Sequence, residues 1–461
     1  MFKFVRKILV APALLKTIFL SAFFISNILL SANSFADKSN LDSNAPLSQQ
    51  QNAEESLFDD NWQDDWGEEE SASPWEITGF VEAAYGQFLQ SNLNLAKAPL
   101  NEVTVRSNVD YNHALFELKT KAELRFDQQT NKNRLTLREL TIGFQPSKSL
   151  DIKAGRQILT WGTGDYLFIN DLFPKDWQSF FSGRDDQYLK APSDSLKATW
   201  YVQNIAFDAV WTKSFTPDNY LNGERFSFYS PMAQSNIAPE KFAVLTPDKS
   251  QWSGRISSSY DTIEWALYGY SGYWPTPVGL AQEQTKLIPY FPKLNTWGAS
   301  VRAPVSSGIL SMEYASYNSV EDQNGNNALI ANGQHRLLIG YETEVISKLT
   351  ANIQYYLEKT KDYTAFKQHS PYPAEIVDEY RQLLTLRLSY FLMQQKLRLS
   401  FFAFYSPSDQ DYYLKPSINY RYSDTWSMSA GANIFDGRQQ YSFFGQHQQN
   451  TNAWLRIKAQ F

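Results

Sequence analysis

The last nine residues constrain the fold of this chain more than any other segment. From Ala453 to Phe461, apolar and polar side chains alternate without a break. A period of two places successive side chains on opposite faces of a β-strand. The apolar face carries Ala453, Leu455, Ile457, Ala459 and Phe461, and the other face carries Trp454, Arg456, Lys458 and Gln460. The chain therefore ends in an amphipathic strand whose last residue is aromatic.

The composition favours a transmembrane barrel over a helical membrane protein. The chain has 461 residues, of which 15% are aromatic, and no cysteine. Its mean hydropathy is -0.44. After residue 36 no run approaches the roughly 20 apolar residues that a spanning helix needs, whereas a barrel strand needs only alternate residues to be apolar. The net charge of -6 argues against nucleic acid as a partner, and the absence of cysteine fits an oxidising compartment.

Residues 1–36 have the organisation of a secretory signal peptide. A basic stretch precedes an apolar run over 17–32, and Ser34-Phe35-Ala36 supplies small residues before a cleavage site. We therefore predict cleavage after Ala36. The alternative is an uncleaved anchor helix, for which the run is short.

Residues 37–74 are polar and acidic, and they carry too little apolar surface to fold alone. We predict a disordered periplasmic tail. Phe58, Trp62 and Trp66 lie among paired acids, a pattern typical of a short motif that becomes ordered on binding a partner. The alternative is an acidic spacer whose tryptophans rest at the membrane interface.

From Trp75 to Phe461 the sequence predicts an all-β fold, a transmembrane antiparallel β-barrel of about 18 strands. The predicted strands are 75–88, 100–110, 113–127, 134–145, 150–160, 194–203, 205–215, 251–260, 262–274, 293–305, 307–318, 333–346, 349–359, 380–392, 395–406, 411–422, 425–435 and 451–461. Short links alternate with long ones, as periplasmic turns and extracellular loops do. An even number of strands, which places the tail and the C-terminus on the same side of the membrane, requires a turn at Tyr111-Asn112. In the alternative, a soluble sandwich or propeller, the charged faces would be the surface.

The polar faces of the last strands are predominantly basic. The predicted basic face of the lumen comprises Arg387, Lys396, Arg398, Lys415, Arg421, Arg456 and Lys458. Two earlier strands carry Glu342, Glu344 and Glu358 instead. A basic wall raises the local concentration of anionic solutes. The alternative is a ladder of paired charges that keeps the wall rigid.

The long link 161–193 is the strongest candidate for a pore constriction. The candidate constriction residues are Asp165, Asp171, Lys175, Asp176, Arg184, Asp185 and Asp186. Gly162 permits a sharp turn, and an aromatic cluster predicts an ordered loop. One hypothesis folds this loop into the lumen, and the other makes it an extracellular cap. Just before the loop, Arg156 falls on the same face of its strand as the apolar residues that would face lipid. Either a bulge at Gly155 turns its side chain inward, or the side chain lies at the lipid headgroups.

Two motifs in this region carry a family resemblance. They are Gly155-Arg156-Gln157 followed by Trp161-Gly162, and Asn170-Asp171-Leu172-Phe173-Pro174-Lys175-Asp176-Trp177. The chain resembles porin-like outer-membrane β-barrels related to the alginate-export type, most of all an uncharacterised branch. The resemblance covers 75–461 and is specific only in these motifs. It implies a barrel in the outer-membrane lipid of a Gram-negative bacterium. It also implies insertion by the barrel-assembly machinery, with Phe461 as the assembly signal.

These features predict an outer-membrane channel for diffusion of small polar or anionic solutes. The alternative is a component of an export system for lipid or polysaccharide, recruited by a periplasmic or inner-membrane partner through the acidic tail. Some members of the resembled branch look like partners of inner-membrane exporters and carry a short Leu-x-x-Phe-Asp-Asp-like element before the barrel. Leu57-Phe58-Asp59-Asp60 partly matches that element. The four histidines lie in no recognisable catalytic motif, and the acids of the loop lack calcium-loop spacing. We therefore expect no enzyme, no cofactor and no metal site.

Overall fold

The computed structural model describes residues 73–90, 98–230, 234–237, 244–283, 286–370 and 375–461. The predicted signal peptide and almost all of the acidic tail lie outside these residues, as do the docking residues Phe58, Trp62 and Trp66. Those assignments stay predictions.

The described residues form 22 strands and two short α-helices. The strands are β1 Trp75–Phe88, β2 Asn101–His113, β3 Phe116–Asp127, β4 Lys132–Ser147, β5 Leu150–Gln157, β6 Ser193–Val202, β7 Ile205–Thr212, β8 Phe228–Ser230, β9 Ser235–Ile237, β10 Gln251–Tyr260, β11 Ile263–Tyr273, β12 Gly279–Glu283, β13 Lys286–Tyr290, β14 Lys293–Val305, β15 Gly308–Ser319, β16 Gln334–Ile346, β17 Leu349–Thr360, β18 Tyr380–Leu392, β19 Leu397–Ser406, β20 Asp411–Arg421, β21 Trp426–Gly437 and β22 Asn452–Gln460. The helices are α1 Trp177–Ser182 and α2 Tyr363–His369. Neither helix has the length and apolarity needed to cross a membrane.

Eighteen of the strands close into one antiparallel barrel. The hairpins β8–β9 and β12–β13 stand outside this sheet, so β7 pairs with β10 and β11 pairs with β14. The sheet closes where β1 pairs with β22. At its end, Gly79 N donates to Phe461 O at 2.8 Å and Phe461 N donates to Gly79 O at 2.9 Å. The predicted all-β barrel of about 18 strands is confirmed.

Short turns lie at one end of the barrel, and most of the connections at the other end are longer. Gln203, Asp261, Ser306 and Lys348 adopt positive φ values of 56°, 55°, 56° and 68° in four of the short turns. Positive φ is what the tight hairpin turns compatible with strand twist require. The predicted alternation of link lengths is therefore present.

The turn between β2 and β3 lies at Ala114-Leu115, so the predicted position at Tyr111-Asn112 was wrong. Tyr111 remains paired with both β1 and β3. Its ring lies 4.4 Å from the ring of Trp75. This cross-strand aromatic contact stabilises the pairing and extends both strands past the predicted turn.

The two faces of the wall have the polarity of a membrane barrel. Large apolar side chains are exposed on the outer face, among them Leu135 at 77% and Trp252 at 56%. The inner face carries buried charged residues such as Glu82 and Arg106. A lipid-facing apolar surface around a polar interior excludes the soluble sandwich, in which these exposed apolar side chains would face water.

Arg156 lies on the outer face. Its Nε and Nη2 donate to Asp194 at 2.7 and 2.9 Å, and the two side chains are 39% and 64% exposed. Gly155 has a φ of 120°, yet the register of β4 with β5 runs unbroken through it. No bulge therefore turns Arg156 inward, and it forms an ion pair on the outside of the wall.

Loops fill the interior at the end of the long connections. Phe180 and Phe181 of α1, Phe226 and Phe444 belong to one buried cluster with inward side chains of the wall. The wall contributes Phe88, Tyr270, Leu294, Ala315, Tyr317, Leu338, Tyr356, Leu383, Phe402, Phe404, Tyr413 and Phe435. This half of the barrel therefore has an aromatic core made of both loops and strands.

The closure contact yields a stability prediction. A Cβ on Gly79 would lie 2.4 Å from the carbonyl oxygen of Arg106 and 2.7 Å from Cζ of Phe461. We expect Gly79→Ala to destabilise the closed barrel by about 1–3 kcal/mol through overpacking. The folded fraction, measured by heat-modifiable mobility on gels, should fall. Gly269→Ala is the matched control because nothing lies within 4 Å of its Cβ position. Equal folding of the two variants would contradict the prediction.

Candidate functional site

The connection between β5 and β6, residues 158–192, crosses the inside of the barrel. Tyr188 Oη donates to Glu123 on β3 at 2.6 Å, and Asn170 Nδ2 donates to Glu313 on β15 at 2.9 Å. Around the closed sheet, β3 and β15 lie on opposite sides. One loop that contacts both walls must span the lumen. We call residues 158–192 the lumen loop.

The N-terminal part of the lumen loop wraps around the carboxylate of Glu313. Thr163 donates to Oε1 both from its backbone N–H and from Oγ1, the latter at 2.9 Å. Gly162 has a φ of 89°, and its Cβ position would lie 3.1 Å from Oε1. Glycine is needed here because the backbone turns sharply and approaches the carboxylate closely. Glu313 is 2% exposed and pairs with no cation among the described residues, so these donors stabilise its position.

Sequence analysis missed Glu313, which lies 150 residues from Thr163 along the chain. Many inward positions of the barrel carry acids, so an inward glutamate by itself is no signal. One signal was present, since Glu313 is the only charged residue of β15. A lone charge on an inward face requires a partner from elsewhere in the fold.

A second buried group ties the lumen loop to the next connection. Lys175 Nζ lies 2.9 Å from Asp171 Oδ1, and Lys175 N donates to Asp218 Oδ1 at 2.9 Å. Trp177 Nε1 donates to the other oxygen of Asp218 at 2.8 Å. Burial raises the pKa of Asp218 to about 6, although Lys175 acts to lower it. Asp171 and Lys175 therefore lie in the core of the loop.

The helix α1 places Arg184 against the wall. Asp176 caps the helix, accepting a backbone hydrogen bond at 2.8 Å. Gly183 ends the helix with a φ of 89°, and its Cβ position would lie 2.1 Å from Cδ1 of Trp454. Arg184 then donates Nε and Nη2 to Glu102 on β2 at 2.8 and 2.6 Å. A buried two-bond ion pair of this kind fixes orientation as well as position.

Three carboxylates of the lumen loop contact bases of the predicted basic face. Asp165 lies 2.9 Å from Arg387, Asp185 lies 3.0 Å from Arg456, and Asp186 pairs with Lys415. Burial raises the pKa of Asp165. Burial acts in the same direction on Asp185, but Arg456 and Lys458 outweigh it and hold the pKa of that carboxyl well below its usual range. In the structure, these three bases are paired.

Three other cations of that face lie on the inward side nearer the short turns. Arg398, Arg421 and Lys458 form no ion pair with a described residue. Lys396 does not share this face, because it lies in the β18–β19 turn and the strand begins only at Leu397. Three consecutive turn residues adopt positive φ, so the turn is longer than predicted. The unpaired part of the basic face therefore consists of three residues.

Three arginines that sequence analysis did not single out hold the C-terminal part of the lumen loop. The guanidinium carbons of Arg106, Arg125 and Arg138 lie 5.0, 5.0 and 4.6 Å from the ring centre of Tyr188. Arg138 also donates to two carbonyl oxygens of the loop at 3.2 and 3.0 Å. The register of β3 with β4 shifts at Arg138, and such a bulge re-aims a side chain.

The acids of the lumen loop are dispersed among these separate contacts. Within the part of the chain that the structure describes, no three histidines, aspartates or glutamates form a group that could hold a metal ion.

Comparison with known proteins bears on the fold. No family model and no curated protein matches the sequence. The solved structure of OpdQ from Pseudomonas aeruginosa matches with 10% identity and a TM-score of 0.52, covering 85% of this chain and 99% of that chain. OccAB3 from Acinetobacter baumannii matches with 10% identity and a TM-score of 0.50, covering 84% and 99%. The outer membrane channel DcaP of the same species matches with 9% identity and a TM-score of 0.42, covering 84% and 97%.

The protein is an outer-membrane β-barrel. At identities this low, the likeness to OpdQ and OccAB3 concerns the fold and leaves the solute open. None of these three structures is of the alginate-export type, so that part of the predicted resemblance stays a prediction.

The glycine turn around Glu313 can be tested by Glu313→Gln. Glutamine keeps the size but removes the charge and presents an amide N–H₂ to groups that are themselves donors. We expect the turn at Gly162–Gly164 to detach, at a cost of about 1–3 kcal/mol. Limited proteolysis of the purified barrel should then cleave faster within 158–170. The control is Glu264→Gln, at an exposed position of β11. Equal cleavage in both variants would rule out this contact as an anchor.

The raised pKa of Asp218 predicts a pH dependence for docking of the lumen loop. Its folded pKa of about 6 lies above the ordinary value of 3.8, so the folded state binds the proton more tightly. The docked state is therefore most stable below pH 4 and loses about 3 kcal/mol as the pH rises to about 6.

Hydrogen exchange at the Lys175 amide, corrected for the intrinsic rate, measures this loss. Protection should fall over that window in the wild type and stay flat in Asp218→Asn. A falling profile in both proteins would assign the effect to another group.

Proposed function

We propose that the protein is a porin-like channel for small polar or anionic solutes and that the lumen loop forms its constriction. The supporting features are a closed barrel, a polar inward face and a loop that reaches opposite walls. The observation that carries the proposal is the contact of three loop carboxylates with wall bases. Asp165, Asp185 and Asp186 bring negative charge to Arg387, Arg456 and Lys415. A solute passing the loop would meet charges of both signs.

The short-turn end has a different electrostatic character. Arg398, Arg421 and Lys458 lie there on β19, β20 and β22, and no described carboxylate pairs with them. The first barrel residue, Trp75, and the last residue of the chain, Phe461, both lie at the short-turn end. We assign this end to the periplasm. A cluster of one sign in a narrow cleft raises the local concentration of the opposite ion. These three cations would therefore favour anions at the periplasmic mouth.

Removal of the loop carboxylates tests the constriction. The variant is the triple substitution Asp165→Asn, Asp185→Asn and Asp186→Asn in the full-length protein. Their partners Arg387, Arg456 and Lys415 would then be uncompensated, and the loop would lose three contacts with the wall. We expect larger single-channel conductance in planar bilayers and a several-fold rise in the permeability ratio of anions to cations.

Asp194→Asn is the matched control, because it removes an aspartate–arginine pair from the outer face. It should leave conductance and selectivity unchanged. Channels whose conductance and selectivity do not respond to the triple substitution would refute a constriction at these contacts. Absence of conductance in the wild type, the triple variant and Asp194→Asn would refute the channel function itself.

Recruitment of a periplasmic or inner-membrane partner by the acidic tail is a second proposal. It rests on Phe58, Trp62 and Trp66 among paired acids. Deletion of 50–70 should abolish export while leaving barrel assembly intact, whereas unchanged transport would make the tail a spacer.

A further inference from the structure

Pro416 interrupts the wall in the middle of β20. Proline has no N–H to donate, so it is unusual in a strand that is paired on both sides. The ladder between β20 and β21 omits positions 415 and 416, while the register is the same before and after them. The ladder between β20 and β19 runs unbroken past Pro416. The defect is therefore confined to one seam of the barrel, between β20 and β21.

Small side chains flank this seam. Ala430 and Ala432 of β21 share the outward face, and Ala453 of β22 lies directly opposite Ala432. Between the two alanines of β21, the Cβ position of Gly431 would lie 2.7 Å from the carbonyl oxygen of Pro416. On the lipid side, Leu414 faces Ile434 and Ile418 faces Ala430 across the seam. Between these two pairs the outward side chain of β21 is only an alanine, so packing beside Pro416 is thin.

Trp454 covers the seam from the lumen. Cβ atoms built on Gly431 and on Gly183 of the lumen loop would lie 2.5 and 2.1 Å from atoms of its indole ring. Its side chain is 4% exposed, and its Nε1 is buried without a hydrogen-bond partner among the described residues. A buried donor without an acceptor is unfavourable. The closed seam thus contains an unsatisfied group next to the broken ladder.

The aromatic core of the lumen reaches this seam. Tyr413 and Phe435 are paired across β20 and β21 close to the interruption, with ring centres 4.5 Å apart and planes at 9°. Phe181 packs against both rings, and Phe404 stacks on Tyr413. The phenylalanine rings provide apolar contact, and the hydroxyl of Tyr413 donates to Asn433 Oδ1 at 2.7 Å. An aromatic surface therefore leads from the lumen loop to within two residues of the break, where the inward side chains are Lys415 and Asn433.

We propose that β20 and β21 separate at Pro416 and that the acyl chain of a single-chain amphiphile passes there between the lumen and the bilayer. Trp454 acts as the inner gate, and the aromatic core provides the surface along which the chain moves. This function goes beyond the proposed axial diffusion of polar solutes. The two functions use different routes, one along the lumen and one through the wall, although the constriction residue Lys415 lies next to Pro416 at the interruption.

A photoreactive fatty acid with a diazirine on its chain tests the proposal in the full-length protein reconstituted in liposomes. Labelled peptides are identified by mass spectrometry. Outward residues meet lipid in any case, so the diagnostic sites are the inward Trp454 and Phe181. Because the chain has no cysteine, one engineered disulfide can lock one seam. The locking variant is Ile418→Cys with Ala430→Cys, a directly paired position.

The matched control is Leu386→Cys with Ala403→Cys, which are directly paired across β18 and β19. We expect the oxidised seam lock to lower labelling of Trp454 and Phe181 several-fold, reduction to restore it, and the control lock to have no effect. Single-channel conductance should be the same with either lock, which separates this proposal from the channel function. Absence of label at both inward sites in the unlocked protein would overturn the proposal. Equal labelling with the seam locked would overturn it as well.

Discussion

Closure of the backbone ladder is the constraint on which the rest of this structure depends. Lipid offers no hydrogen bonds, so each strand in the wall must be paired on both sides. The exchange between Gly79 and Phe461 completes the ring at the ends of β1 and β22. A closed antiparallel ring fixes which face of every strand points inward. The polar side chains of 18 strands then share one enclosed space, and the lumen loop forms its contacts there.

Strand positions were largely predictable because alternation is a local property. The predicted ranges 293–305 and 380–392 agree with β14 and β18. Errors arose where contacts between strands set the boundary. Tyr111 continues the ladder because it packs on Trp75 of the neighbouring strand. Lys396 was predicted to lie in a strand of the wall, but it lies in a turn, because the three residues before it adopt left-handed backbone conformations. Neither effect appears in the alternation of a single strand.

The lumen loop shows where prediction from sequence reaches its limit. Its charged residues were identifiable, but their partners were not, because the fold brings them from distant strands. Arg184 reaches Glu102 on the wall, whereas Lys175 turns to Asp171 within the loop. Both are basic residues among aromatic ones, and nothing in their local sequence separates them. Their different partners result from the closed ring of strands, which determines which loop atoms come within reach of a wall side chain.

The contacts of the lumen loop differ in their exposure to water, and this has a consequence for salinity. The turn around Glu313 and the pair of Arg184 with Glu102 are buried. The pairs of Asp185 and Asp186 with the wall each leave the aspartate more than a quarter exposed. Mobile ions screen exposed charges over about 10 Å at 0.1 M salt and about 3 Å at 1 M, but they reach buried pairs much less. The loop therefore has two fixed anchors and contacts between aspartates and wall bases that salt loosens. Its freedom to move would therefore vary with the ionic strength of the surrounding solution.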